Sequence, residues 1–290
     1  MTSILTNISA MSALQTLRSI NSDMKDTQSS VSSGLRVGQA SDNVAYWSIS
    51  TTMKSDNKAL GAATDALGVG AAKVDTAYAA MDSAIDVVNE IKAKLTTASE
   101  SSVDKKQVQL EIDKLQEQLT AIGQAASFNG ENWMINDTKT TVVDGFIRKE
   151  DGTVKVNTAE FQAGSYAMFS TIASGVGSGG ILGAIMTIEL TSVTTQGQID
   201  TFLNTVQTSL DSLTDGAAAL GALKTRIDMQ DSFSSKLSDA IKSGVSRLVD
   251  ADMEEESARL SALQTQQQLA VQSLSIANSG SQQLLSLFRG

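Results

Sequence analysis

The sequence predicts a mainly α protein, an elongated coiled-coil rod formed by long N- and C-terminal helices, with a small β-rich insert between them. Three observations predict this fold class. Apolar residues recur at heptad-like spacing near both ends of the chain. The 290 residues include no proline that would interrupt a helix. Only the stretch 140–193 has strand-like alternation and β-branched runs.

The two chain ends carry matching helical seams. Every 3.5th residue from Ser3 to Leu35 gives ten positions, of which six are apolar. The same spacing from Leu260 to Phe288 gives nine positions, of which seven are apolar. Several seam positions are polar instead, namely Asn7, Asn21, Gln28, Gln267 and Ser281. We therefore predict that each end is a long helix that needs a partner helix.

Two further helices are predicted between the ends. In 57–99, apolar residues recur every seven positions from Leu60 to Leu95, and 104–128 has a similar heptad with a charged outer face. At 1.5 Å per residue, the first of these helices would be about 65 Å long. A compact globule of this chain length would be only about 50 Å across. The helix lengths therefore predict a rod.

The middle of the chain changes character after Gly130. Residues 140–162 alternate apolar and polar side chains, and Asp151-Gly152 is a hairpin signal. The run from Gly175 to Gly180 contains a formal G-x-G-x-x-G, but Glu189 lies too close for the acidic partner of a dinucleotide site. We interpret this run as a flexible loop, followed by a strand through 188–193. Helical pattern resumes near Gln198.

Composition excludes several classes of function. The net charge of −10 argues against nucleic acid and against an anionic membrane surface. The chain has no cysteine and no histidine, so it lacks thiolate chemistry and the most common general base and metal ligand. We expect no enzyme activity, no cofactor and no metal. The acidic run 250–256 lacks the glycine of a calcium loop and is interpreted as a helix start.

Both chain ends lack charge. No charged side chain occurs in 1–17 or 260–288, and the second stretch contains too many glutamines to insert in a membrane. An ordinary helix hairpin with its outer faces in water would carry Glu and Lys on those faces. Uncharged polar faces can be buried against copies of themselves without leaving a charge unpaired. We therefore predict self-assembly through these interface residues: Leu14, Leu17, Met24, Val31, Leu35, Leu260, Leu263, Leu274, Leu284 and Phe288.

Sequence motifs at both ends resemble those of a known family. The stretch SSGLRVGQASDNVA at 32–45 and the SFNG at 127–130 resemble the N-terminal signature of bacterial flagellin. The stretches SRLVDADMEEES at 246–257 and LSIANSGSQQLLSLFR at 274–289 resemble its C-terminal signature. The resemblance covers roughly 1–135 and 197–290, with the two motif sets in the family's order.

The resemblance implies a domain organisation. Residues 1–42 and 250–290 would form the terminal coiled coil at the inner core of a filament. Residues 43–135 and 197–249 would form a helical shaft domain, and 136–196 a short, surface-exposed variable insert with a β-hairpin.

The resemblance also implies a function. The chain would be a structural subunit that polymerises helically into the flagellar filament for swimming motility; a flagellin-like hook–filament junction protein is the alternative. It would be extracellular, secreted through the flagellar export channel without a cleaved signal peptide. Expected partners are the chain itself, the export apparatus, an export chaperone, the filament cap and the hook-associated junction proteins, with no nucleic acid and no membrane insertion. Whether other flagellin paralogues join the same filament stays open.

Two segments depart from the family pattern. An Arg-containing run that contributes to innate immune receptor recognition in several relatives is replaced here by VVNEIKAKLTTA at 87–98. The resemblance therefore does not carry that recognition over to this chain. A double acid of the family is replaced by Asp42-Asn43, and we expect Asn43 to keep the hydrogen bonding while losing a charge.

Overall fold

A computed structural model describes residues 7–135, 139–173 and 175–287, with side chains described as far as residue 279. Its main elements are long helices, and the predicted fold class is confirmed. The helices are α1 (Ile8–Ser33), α2 (Val44–Ala98), α3 (Lys105–Ala125), α4 (Ala163–Tyr166), α5 (Gln196–Val249) and α6 (Met253–Leu287), with a 3₁₀ turn at Ile185–Thr187. In the part of the chain described here, each helix is either too short or too polar to span a lipid bilayer.

In the residues that the structure describes, the strands form three two-stranded antiparallel sheets. They pair β1 (Ser127–Phe128) with β2 (Glu131–Asn132), β3 (Thr140–Arg148) with β4 (Val154–Phe161), and β5 (Thr171–Ala173) with β6 (Val176–Ser178). The β3–β4 hairpin turns at the predicted Asp151-Gly152, where Gly152 has a φ of 81°. A bulge between Val143 and Gly145 shifts the register, so that Val142 is buried while Phe146 is only half-buried.

Contacts divide the chain into two compact units. The terminal unit contains 1–57 and 239–290, and the central unit contains 58–238. These boundaries follow contacts alone, so the domain boundaries predicted from the sequence stay a prediction.

The terminal unit is organised by helix caps and by one pairing of chain segments. Gly34 ends α1 in the left-handed conformation (φ 71°), with its N–H donating to Ser30. The next residues pair with the end of α5: Leu35 and Asp250 form an antiparallel bridge, and Ala251 N–H donates to Gly34 O at 2.9 Å. The acidic run is a helix start as predicted, because Glu254, Glu255 and Glu256 occupy the first turn of α6.

The core of the central unit lies where α2, α3, α5 and the sheets meet. Fully buried residues include Met81, Ile91, Ile112 and Leu213. Two glycines allow close approach of neighbouring elements. A Cβ at Gly70 would overlap the Val142 side chain, and one at Gly216 would lie 2.8 Å from Met81 Sδ.

The segment 163–190 contributes to this core. Met168, Phe169, Leu182 and Ile185 have no exposed surface. The interpretation of the glycine-rich run as a flexible loop is wrong, because β5 and β6 form a hairpin in which Gly177 lies against the Phe169 ring.

The predicted strand through 188–193 is also wrong, because side chains of α3 form hydrogen bonds with backbone groups of this segment. Gln109 accepts from Leu190 N–H at 2.6 Å, and the Gln116 amide donates to Ile185 O at 2.9 Å and Ile188 O at 3.2 Å. Since these bonds replace those of a strand ladder, the segment is held without a partner strand.

Candidate assembly interface

The terminal helices α1 and α6 form one seam, and polar residues hold its register. Gln267 Nε2 donates to Asn21 Oδ1 at 2.7 Å across the seam. At the seam's end, Asn7 Nδ2 donates to Ala277 O at 3.0 Å while Asn7 Oδ1 accepts from Ala10 N–H and caps α1. Three of the polar seam positions therefore find partners inside the same chain, so this helix pair is specified by more than apolar contact.

The structure places most of the predicted interface residues on this intramolecular seam. Leu263 is buried at 9% exposure, and Leu14, at 38%, is exposed. The others that are described are half-buried: Leu17, Met24, Val31, Leu35, Leu260 and Leu274. Leu35 also packs against the buried cluster of Val37, Val245 and Val249. Leu284 lies in α6 but its side chain is outside the described part, and Phe288 lies outside the described residues.

A second set of apolar residues is exposed on the flanks and backs of the terminal helices and is not among the predicted interface residues. Ile8 and Met11 on α1, and Leu269, Val271 and Ile276 on α6, are all more than half exposed. The helix stretches that carry these residues, from Asn7 to Leu17 and from Leu260 to Ser279, contain no charged residue. The signal in the sequence is that each of them directly precedes or follows a seam position, as Ile8 follows Asn7 and Leu269 precedes Ala270. We call these five residues the outer apolar face.

A shallow groove runs beside this face. Its volume is about 470 Å³, and its walls are uncharged. The lining residues are Ile8, Ser9, Ser12, Ala13 and Thr16 of α1 with Ala270 and Ser273 of α6. Small side chains on both walls leave room for an apolar side chain from outside.

Hydrogen bonds to the side chains of Asp42 and Asn43 stabilise the connection from α1 to α2. Asp42 Oδ2 accepts from the N–H groups of Gly38 and Gln39, each at 3.0 Å. These bonds, that of Gln39 first, lower the pKa of Asp42 below its usual value. Asn43 Oδ1 accepts from Tyr46 N–H at 3.1 Å and caps α2, which is the hydrogen bonding expected of it.

These observations indicate what the terminal unit can do. Among the described residues, no group of three or more acidic side chains is placed to hold a metal ion. The perturbed carboxylate, Asp42, is exposed and holds a loop. The terminal unit combines an inner seam that is already paired with an outer surface that is apolar and uncharged. Such a surface is typical of an interface between copies.

Two family models match the chain, and together they cover more than half of it. The model described as "Bacterial flagellin N-terminal helical region" matches residues 4–139, and "Bacterial flagellin C-terminal helical region" matches residues 203–288. The chain is 44% identical to Flagellin A of Rhizobium meliloti (strain 1021) over 395 aligned positions, and 47% identical to a flagellin of Brucella melitensis over 291. Each alignment covers all of both proteins.

One solved structure supports the fold alone. A putative flagellar hook-associated protein from Vibrio parahaemolyticus matches with a TM-score of 0.54 and 11% identity, over 72% of this chain and 100% of that one.

The alignment with Flagellin A has 395 positions for the 290 residues of this chain, so Flagellin A contains residues with no counterpart here.

Proposed function

This chain belongs to the bacterial flagellin family, and from that premise we propose that it is the structural subunit of a flagellar filament, polymerising helically with copies of itself for swimming motility. The observation that carries the proposal is the outer apolar face of the terminal helices. Its five residues are exposed in the single chain although they are apolar, and the helix stretches that carry them, 7–17 and 260–279, contain no charged residue. A helical polymer of many copies would remove that surface from water.

The terminal helices have two surfaces with different roles in this proposal. The seam between α1 and α6 holds one chain together through Asn21, Gln267 and the apolar residues around them. The outer apolar face of one copy packs on its neighbours, and the uncharged groove beside it receives an apolar side chain from a neighbouring copy. Apart from Ile8, which belongs to both, the outer apolar face and the groove consist of different residues. Their contact is therefore heterologous and continues from copy to copy as an open helix.

The predicted interface residues belong to both roles. We propose that Leu14, which is exposed, contacts a neighbouring copy, and that Leu284 and Phe288 at the end of the chain do so too. The half-buried or buried members act mainly by holding α1 against α6, which gives the outer face its shape. A filament subunit whose seam is weakened therefore presents a poorly ordered surface to its neighbours.

Further proposals follow from the family. Residues 1–42 and 250–290 form the inner core of the filament, 43–135 and 197–249 the shaft around it, and 136–196 the outermost part. The chain leaves the cell through the flagellar export channel without a cleaved signal peptide, with an export chaperone, the filament cap and hook-associated proteins as its partners. It acts mechanically and catalyses no reaction, in keeping with a structural protein family.

Electron microscopy of the purified protein tests the proposal. We expect filaments of micrometre length from the unmodified chain, whereas a junction protein would form only short collars. Ile276→Glu adds a charge to the outer apolar face and should prevent growth, because the charge would be buried without a partner. The matched control is Ser22→Glu, an exposed position beside the native charge of Asp23. Wild-type filament lengths from Ile276→Glu would contradict the role given to this face.

A further inference from the structure

The first turns of α2 carry a second exposed apolar surface in the terminal unit. Val44, Tyr46, Trp47 and Ile49 are exposed by 70%, 42%, 37% and 50%. We call these four residues the α2 entry patch. It follows the loop of Asp42 and is separate from the heptad seams of α1 and α6.

The patch lies on both flanks of the helix. Ser50, at 2% exposure, marks the side of α2 that is buried within the chain. At 100° per residue, Tyr46 and Ile49 lie on one flank of Ser50, and Trp47 and Val44 lie on the other. Large apolar side chains on both flanks of a helix normally pack against other parts of a protein. Within the described residues, the single chain leaves both flanks open.

The patch is also free of charge. No charged side chain occurs between Asp42 and Lys54, a stretch of three helical turns. Exposed helices in water usually carry Glu, Lys or Arg on their outer faces, as α3 does with Lys106, Glu111 and Lys114. A partner with a strongly charged surface would gain nothing here. An apolar and uncharged partner surface fits the patch.

The patch is a preformed surface. The Asn43 side chain caps the helix at Tyr46 N–H, and Trp47 N–H donates to Asn43 O at 2.9 Å. Half-buried Met53 lies against α5 near Gly244, which anchors the following turn. Because the backbone is already ordered, the aromatic side chains can be buried with little further loss of conformational entropy. Tyr and Trp are the residue types that most often dominate binding energy in interfaces.

We propose that the α2 entry patch is a contact between copies, covered by an uncharged face of the terminal helices of a second copy of this chain. The proposal rests on the proposed function, since it names one surface of the same polymer. The terminal unit itself provides a matching partner surface, because the outer apolar face is also apolar, exposed and uncharged. Both surfaces belong to one compact unit, so a lattice that repeats this unit brings them within reach of each other.

The chain contains two tryptophans in contrasting environments, which provides a direct test. Trp47 is exposed by 37%, whereas Trp133 is exposed by 2% and stacks on Phe161 at 5.6 Å. In a Trp133→Phe variant, Trp47 is the sole tryptophan. We expect its emission to shift to shorter wavelength, and iodide quenching to fall several-fold, when dilute single chains assemble into filaments. The matched control is Trp47→Phe, in which Trp133 reports and should change little.

Charge insertion tests the same contact independently. Ile49→Lys should reduce filament growth at least tenfold, whereas Ser55→Lys, an exposed site beside the native Lys54 of the same helix, should grow normally. Equal iodide quenching of Trp47 in filaments and single chains would overturn the proposal, as would normal growth of Ile49→Lys. Shielding of Trp47 only after a cap protein or chaperone is added, and not in filaments, would also overturn it. Failure of the unmodified chain to form filaments would instead contradict the proposed function.

Discussion

Asn21 and Gln267, which are 246 positions apart in the chain, form a 2.7 Å hydrogen bond across the seam of the terminal helices. Both side chains are half-buried. If one of them were removed, water would therefore not fully replace the hydrogen bond that the other one loses. The pair occupies two of the polar positions that interrupt the heptad pattern. In coiled coils, one buried polar pair of this kind selects the register at some expense of stability.

Asn21→Ala should therefore weaken the helix pair by about 1 kcal/mol, because the Gln267 amide is left without its acceptor. Urea unfolding of the single chain measures this loss. The double variant Asn21→Leu with Gln267→Leu should recover it, because both polar groups are replaced by apolar ones. As a control, Asn278→Ala alters an exposed amide of α6 and should leave the unfolding free energy unchanged. Additive effects of the two leucine substitutions would contradict a direct coupling.

Two leucines of α6 should separate folding from assembly. Leu263 is buried on the seam, so Leu263→Ala should lower the free energy of unfolding of the single chain by about 2–3 kcal/mol. Leu269 is exposed by 60% on the outer apolar face, so Leu269→Ala should change it by less than about 0.5 kcal/mol. In filament growth, measured by light scattering, Leu269→Ala should have the larger effect of the two. It should raise the critical concentration for assembly although the single chain folds normally. Normal growth of Leu269→Ala would remove it from the interface.

Neighbouring glycines of α2 should respond in opposite directions to the same substitution. Gly70→Ala places a methyl group on the Val142 side chain of β3 and should destabilise the central unit by about 1–3 kcal/mol. Gly68→Ala meets no atom within 4 Å and should stabilise the helix by up to about 1 kcal/mol. Thermal unfolding measures both. Adding Val142→Ala to Gly70→Ala should restore part of the loss, and no restoration would show that the overlap is not its cause.

The Asp42 carboxylate should make the loop before α2 sensitive to acid. Its folded-state pKa is lowered by the amide N–H groups of Gln39 and Gly38, so its contribution to stability is complete above the unfolded-state value of 3.8 and is lost as the pH falls through the lowered pKa. Asp42→Ala should destabilise the chain at pH 7, and the difference from wild type should shrink as the pH is lowered past that value. Urea unfolding at several pH values measures it. In the control Asp23→Ala, which changes an exposed acid of α1, the difference should stay small throughout.

The helices and their partner seams could be predicted from the sequence because their signal is local and periodic. Apolar residues at heptad spacing give α1, α3 and α6 within a few residues, and the absence of proline leaves α2 and α5 unbroken. Asp151-Gly152 gave the hairpin turn for the same reason, since the turn needs particular residues at particular positions. The outer apolar face was less accessible, because its residues sit next to seam positions and period alone does not separate an inner face from an outer one.

The central packing could not be predicted because it depends on contacts between distant residues. The run at 188–193 has strand-forming residues, but two of its backbone groups form hydrogen bonds with side chains more than seventy positions earlier. Gln109 accepts from Leu190 N–H, and Gln116 donates to Ile188 O. The glycine-rich run forms a hairpin because the Phe169 ring requires a residue without a side chain at Gly177. Neither cause leaves a periodic signal in the sequence.

The Asn21–Gln267 hydrogen bond also fixes the offset between α1 and α6 along their axes. Sliding α1 along α6 by one heptad would place Asn21 opposite Leu260 or Leu274, whose side chains offer the Asn21 Oδ1 no donor, and would displace the helix by about 10 Å. Every copy is thereby held to the same offset between its first and last helices. A helical polymer of many such subunits keeps a constant rise per subunit, because the offset between α1 and α6 is the same in each subunit before it is added.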